Sequence, residues 1–190
     1  MRGAKPRGQG VNIIIDVNVK DLPEIARKLK AGDAILLSGE IYTARDAAHK
    51  RFYTLLDNGA PLPFDLKNSV IYYAGPTPAV NGMSVGACGP TTSSRMDAFA
   101  PRLMDLGVIC TIGKGDRSSE VYEAIKRNGG LYLCAVGGAG ALAAACIKSA
   151  EVIAYPELDC ESVKRMTVER FPLYVGIDTF GHSIFKRTAP

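Results

Sequence analysis

Val108-Ile109-Cys110-Thr111-Ile112-Gly113-Lys114-Gly115-Asp116 is the stretch that sets the fold class, read together with Ser119 to Asn128, Gly129-Gly130 and Leu131 to Val136. Val108 to Ile112 is a short apolar run rich in β-branched residues, which predicts a buried strand. Ser119 to Asn128 places Val121, Tyr122 and Ile125 at helical spacing, and the glycine pair stops that helix. Leu131 to Val136 then predicts a second buried strand. Strand, helix and strand in so short a span indicate an α/β protein. The Gly113-Lys114-Gly115 turn emerges at the C-terminal end of its strand, where ligands of α/β sheets gather. Lys114 there is either an anion contact or a solvated turn lysine, and the residues alone leave both open.

Upstream stands Gly89-Pro90-Thr91-Thr92-Ser93-Ser94-Arg95-Met96. Glycine and proline set a turn, hydroxyl residues follow, and Arg95 opens a predicted helix that continues through Phe99, Leu103 and Leu106. Hydroxyls can cap free N–H groups at such a place, and the helix dipole with Arg95 makes it electropositive. A helix cap and an anion site both fit. Pro101 must kink the helix or begin a second one. Further back, Ser69 to Ala74 predicts a strand, and Arg45 to Leu56 a helix stopped by Asn58-Gly59. Arg45 and His49, four apart, share a face. An arginine at a helix start opposes the dipole, a local conflict of the kind functional sites tolerate. His49 taken alone reads better as a satisfied structural histidine. Ala34 to Ser38 and Ile41 to Ala44 predict two strands around Gly39-Glu40. Asp21 is placed to cap a short helix through Leu22, Ile25 and Leu29, and Val11 to Val17 alternates as a half-buried strand.

Downstream, Gly138-x-Gly140-x-x-Ala143 lies between a strand and an apolar helix (Ala141 to Ile147), and Glu157 follows. The pattern mimics a dinucleotide fingerprint, but close helix–sheet packing explains the same glycines and is the preferred reading. Val152 to Tyr155 and a helix or loop at Glu161-Ser162-Val163 lead to a predicted strand, Leu173 to Ile177. Early strands follow one another while later ones alternate with helices. The expectation is a single α/β domain with a mixed sheet over residues 11–190, preceded by a flexible basic tail, residues 1–10.

A net charge of +4 with interspersed acids, and no aromatic-basic stripe, argues against nucleic acid. No apolar run approaches the roughly 20 residues that cross a bilayer, and no signal-peptide segment follows the tail, so a cytoplasmic protein is expected. Cys88, Cys110, Cys134, Cys146 and Cys160 form no Cys-x-x-Cys pair, and with only His49 and His182 available a self-contained metal site is not expected. Most of these thiols read as small core residues, with Cys88 near enough to the hydroxyl turn to approach a site.

Three cations thus stand at predicted element ends: Arg45, Arg95 and Lys114. Two arginines can each hold a carboxylate bidentately and a lysine adds a point charge, which suits a small dicarboxylate. Thr91 and Thr92 lie among them, and clustered cations could stabilise a threonine alkoxide as a base. A Lewis acid and an evident proton donor are missing.

Thr43-Ala44-Arg45-Asp46-Ala47-Ala48-His49, the turn Gly89 to Met96, Ile112-Gly113-Lys114-Gly115 and Phe171-Pro172…Ile177-Asp178…Gly181 occur in that order. Together they resemble the C-terminal domain of class I iron–sulfur fumarases, which is also the β subunit of two-subunit fumarases and of L-tartrate dehydratase. The resemblance runs from about Val11 to the end. It implies the swivelling β/β/α fold and reversible hydration of fumarate to L-malate, or dehydration of L-tartrate to oxaloacetate. It implies that Thr91 is the base, that Arg45, Arg95 and Lys114 bind the substrate carboxylates, and that His49 supports them; Thr92, a hydroxyl among these cations, is read as a further substrate contact. It further implies a 4Fe–4S cluster on a partner α subunit, none on this chain, and a hetero-oligomer, with self-association open to the isolated chain. Two rivals remain: a free-standing nucleotide- or anion-binding module, and a structural partner that merely closes another subunit's site.

Overall fold

A computed structural model describes residues 14–79 and 82–185. The basic tail and the first residues of the Val11 to Val17 expectation lie outside them. Strand β1 (Ile14–Asn18) buries Val17 and exposes Asp16, in keeping with the alternation in the sequence. A single α turn, α1 (Leu22–Ile25), follows between two 3-10 turns. Asn18, not Asp21, caps the start, its side chain accepting the Lys20 N–H at 3.0 Å.

β2 (Ala34–Thr43) is one continuous strand where two were expected. Gly39, at φ 126°, absorbs the irregularity as a bulge, and a Cβ there would stand 3.0 Å from that of Val19. In order come α2 (Asp46–Asp57), β3 (Val70–Tyr72), a 3-10 turn (Ser93–Met96), α3 (Ala100–Asp105), β4 (Cys110–Gly113) and α4 (Ser119–Asn128). Then follow β5 (Leu131–Cys134), α5 (Gly140–Cys146), β6 (Ile147–Ala154), a 3-10 turn (Pro156–Glu161) and β7 (Val163–Ile177). Pro101 begins a second helix, and no long helix follows the hydroxyl turn. β7 is three times the length expected. Its first half intersperses buried Val163, Met166 and Val168 with Lys164, Arg165, Thr167, Glu169 and Arg170, so no continuous apolar run announces it.

The seven strands form one mixed sheet in the order β1-β2-β3-β4-β5-β7-β6. β1 to β5 run parallel, whereas β7 runs antiparallel to β5, β6 and β2. Because β7 pairs with both β2 and β5, the ring β2-β3-β4-β5-β7 closes around an apolar interior that includes Leu37, Ile41, Tyr72, Ile112, Leu133 and Val175. Closure satisfies backbone groups that open edges would expose. α2 covers one flank through Ala48 and Phe52, which pack with Tyr73, Met96 and Leu103. α3 and α4 cover Tyr132 and Ile177. The mixed α/β single domain stands as expected.

Candidate active site

Thr43 of β2 is in register with Tyr72 of β3, and Tyr72 with Ile112 of β4. The residues just beyond this row, Ala44-Arg45, Tyr73-Ala74-Gly75 and Gly113-Lys114-Gly115, therefore emerge side by side at the carboxyl ends of three parallel strands. The turn from Gly89 threads between the last two. Thr91 N–H donates to the Tyr73 carbonyl at 2.7 Å, and the Thr91 carbonyl accepts the Lys114 N–H at 3.3 Å. Pro90 bridges Ala74, Thr92 bridges Lys114, and Ser93 N–H donates to the Lys114 carbonyl at 2.9 Å. The hydroxyl turn is thus held by isolated backbone bridges to two strand ends rather than by helix capping, and Thr92 makes no side-chain capping bond. Ser93 is buried, its Oγ 2.9 Å from Tyr132 Oη, which in turn donates to the Gly115 carbonyl at 2.8 Å. Gly113 makes room for this, since a Cβ there would overlap Ser93 Oγ. Backbone pairing and these hydroxyls fix Thr91, Thr92 and Lys114 to one another, with Thr91 half-buried and the other two exposed.

Arg45 precedes α2 with an extended backbone, and its Nη2 lies 3.1 Å from Glu161 Oε1. The other Glu161 oxygen accepts the Ala47 N–H at 3.1 Å. Glu161 therefore supplies the acid that a helix N-terminus favours, which answers the dipole conflict posed by Arg45. The guanidinium lies against Gly75, where a Cβ would stand 2.9 Å from Nη1, and Arg45 Nε is buried with no hydrogen-bond partner among the described residues. Arg95 reaches across to Asp46, Nε donating to Oδ1 at 3.0 Å. It remains half exposed.

His49 is fully buried on α2, ringed by Phe52, Tyr73 and Phe99. Its Nδ1 is 2.8 Å from the Arg45 carbonyl, an acceptor, so Nδ1 carries the proton. Burial pulls its pKa down from 6.5 to about 4; the Arg45 carbonyl and Asp46 oppose the shift and Arg117 adds to it. His49 is therefore neutral, and it fixes the carbonyl of the residue that bears the guanidinium.

Arg117 was not singled out in the sequence. Its side chain is fully buried under the site. Nε pairs with Asp97 Oδ1 at 2.6 Å, Nη1 donates to Thr111 Oγ1 at 3.0 Å, and the guanidinium lies over Tyr73 and Tyr132. Asp97 also accepts the Ser118 N–H at 2.6 Å. This arginine ties the segment just after β3 to β4 and β5 beneath the bridged turn. Nothing in the Gly115-Asp116-Arg117 stretch distinguishes it from a surface residue, because its partners come from four other segments.

The cysteines offer an iron–sulfur cluster no ligand set: among the described residues no three His, Cys, Asp or Glu side chains could hold a metal ion. Cys88 and Cys110 are packed in the core, and burial pushes the Cys88 thiol up to about 12. Cys88 belongs to the interior, where its carbonyl accepts the Tyr72 hydroxyl proton at 2.7 Å. The glycine turn before α5 packs on the hydroxyl turn, since Cys88 N–H donates to the Gly140 carbonyl and a Cβ at Gly140 would stand 3.3 Å from Gly89 N. α5 has seven residues, and the strand after it is antiparallel to β7, not part of a βαβ unit. Close packing accounts for Gly140, whereas Gly138 has open space around it and is required instead by its left-handed backbone, φ 81°. No described helix is long and apolar enough to cross a membrane.

The fold and this face together define an α/β domain with a cationic, hydroxyl-bearing rim at its strand ends. The chain belongs to the fumarase C-terminus family, whose model matches residues 4–188. It is 40% identical to fumarate hydratase 2 of Leishmania major over 159 residues, covering 83% of this chain and 28% of that protein. It is 37% identical to the aerobic class I fumarate hydratase of Escherichia coli over 185 residues, 95% of this chain and 34% of that protein. It is 39% identical to a putative L(+)-tartrate dehydratase subunit beta of Methanocaldococcus jannaschii over 166 residues, 84% of this chain and 85% of that one. The chain thus spans about a third of the fumarate hydratases and most of the tartrate dehydratase subunit.

Proposed function

We propose that this chain, acting as one domain over residues 11–190, is the β subunit of a two-subunit, cytoplasmic iron–sulfur hydro-lyase that interconverts fumarate and L-malate. The observation that carries the reading is the backbone pairing of Thr91 between Tyr73 and Lys114, which brings a threonine and the cation-bearing segments to one rim. Arg45 and Arg95 hold the substrate carboxylates, Lys114 adds a point charge, and Thr92 donates a hydroxyl hydrogen bond. Thr91 Oγ takes the proton from the carbon next to a carboxylate during dehydration, and returns it during hydration. Surrounding cations stabilise its alkoxide at the moment of transfer. His49 holds the Arg45 backbone in place. The 4Fe–4S cluster belongs to the α subunit, as does the handling of the departing hydroxyl. The openness of Thr92, Lys114 and half of Arg95 supports a site that a second subunit completes.

The test is anaerobic co-expression with an α subunit, followed by steady-state assay with malate, fumarate and tartrate. Thr91→Ala is expected to lower kcat about 10²–10⁴-fold, the usual worth of a positioned base. Near-normal kcat would instead mark the chain as a structural closure of another subunit's site. The 39% identity to the tartrate dehydratase relative, on a par with that to the fumarate hydratases, supports a second reading, the tartrate enzyme. Tartrate turned over well ahead of malate would select it.

A further inference from the structure

Asp46 stands beside Arg45 in sequence and against Arg95 in space. Besides the Nε bond to Oδ1, Arg95 Nη2 comes within 2.8 Å of Asp46 Oδ2. That oxygen is buried and has no hydrogen bond among the described residues, so the Arg95 cation is the charge set against it. Arg95 thereby presents its Nε/Nη2 edge to Asp46 and keeps its Nη1 end for another carboxylate. This is the geometry of a strut; a stand-in for substrate would occupy the open end. Asp46 is itself anchored. It lies in the first turn of α2, where Glu161 holds both the Ala47 N–H and Arg45.

We infer that Asp46 is a positioning residue that orients Arg95 and, through the start of α2, sets the separation of the two guanidiniums and so the length of dicarboxylate the site accepts. The inference rests on the proposed role of Arg45 and Arg95 as carboxylate binders. An arginine half in solvent has many rotamers to lose when it binds, and a strut removes that loss beforehand. A carboxylate on a rigid helix turn is suited to that role.

The experiment uses the α/β assembly carrying Asp46→Ala, Asp46→Asn, Arg95→Ala, or Asp46→Ala with Arg95→Ala. Asp46→Ala is expected to lower kcat/KM about 10- to 100-fold, chiefly through KM, with an unfolding midpoint close to wild type. Asp46→Asn keeps an oxygen for Nε and should lose less. The double variant should be no worse than Arg95→Ala alone, because Asp46 acts through Arg95. Discrimination between succinate and glutarate as competitive inhibitors should narrow in Asp46→Ala. Unchanged kcat/KM in Asp46→Ala, or additive losses in the double variant, would overturn the inference. A separate readout is the ¹⁵N NMR signal of the Arg95 Nε–H in this chain alone, slow to exchange in wild type and fast in Asp46→Ala. That signal decides the contact even if the assembly hydrates no fumarate, a result that would sink the hydro-lyase reading instead. Fast exchange in the wild type also overturns the inference.

Discussion

Replacing His49 by phenylalanine should flatten the acid limb of this protein's stability. The ring is fully buried, its Nε2 has no hydrogen-bond partner among the described residues, and burial lowers its pKa from 6.5 to about 4. The sign follows from proton counting. Between those two values the unfolded chain binds a proton that the folded chain refuses, so protonation favours unfolding. The contribution is fully present above about pH 6.5 and is lost as pH falls towards about 4. Each tenfold in proton affinity is worth about 1.4 kcal/mol, so the whole span amounts to roughly 3 kcal/mol, of which about 2 kcal/mol is lost by pH ~5. His49→Phe fills the same aromatic surroundings without a titratable nitrogen, and the backbone bond from residue 49 to the Arg45 carbonyl remains. Urea unfolding of wild type and variant, at a series of pH values from about 7 to about 5, supplies the comparison. Wild type should lose about 2 kcal/mol more than the variant over that range. Parallel curves would refute the claim that His49 is held neutral by burial.

Two further variants separate support from chemistry. Arg117→Met leaves Asp97 buried without its cation and removes the bond to Thr111, so it should cost about 3–5 kcal/mol, read as a melting temperature roughly 10 °C lower. A loss below ~1 kcal/mol would contradict a buried pair at this place. Gly75→Ala sets a methyl 2.9 Å from Arg45 Nη1 and 3.1 Å from the Cys160 carbonyl. The flexible guanidinium must yield, so kcat/KM of the proposed α/β assembly should fall while the melting temperature of the chain changes little. A large stability loss with normal kinetics would show that Gly75 serves the fold and not Arg45.

Several elements were legible because their signals are local. Helix α4 with its following glycines, the burial of Cys110 in β4, and an interruption of helix at Pro101 all follow from periodicity and backbone chemistry within a few residues, although the sequence left a kink and a second helix both open at Pro101. The motif-bearing residues Arg45, Thr91, Arg95 and Lys114 could likewise be picked out along the chain. Where the reading departed from the structure, distant partners were responsible. β2 runs through Gly39 because β7 pairs along it on both sides of the bulge. The charged first half of β7 is a strand because β2 and β6 flank it. The hydroxyl turn forgoes capping because the ends of β3 and β4 offer it backbone partners.

Sequence alone therefore determined the α/β class and the order of the motifs, and it supplied the cations and hydroxyls proposed for the site. Only the tertiary structure decided how they are held: Glu161 beneath Arg45, Asp46 against Arg95, and Arg117 under the strand ends. A side chain's type and its neighbours in sequence state what it can bond. Whether a carboxylate or guanidinium is buried and paired depends on segments brought together by sheet closure, and burial is what turns an ordinary surface charge into a structural support.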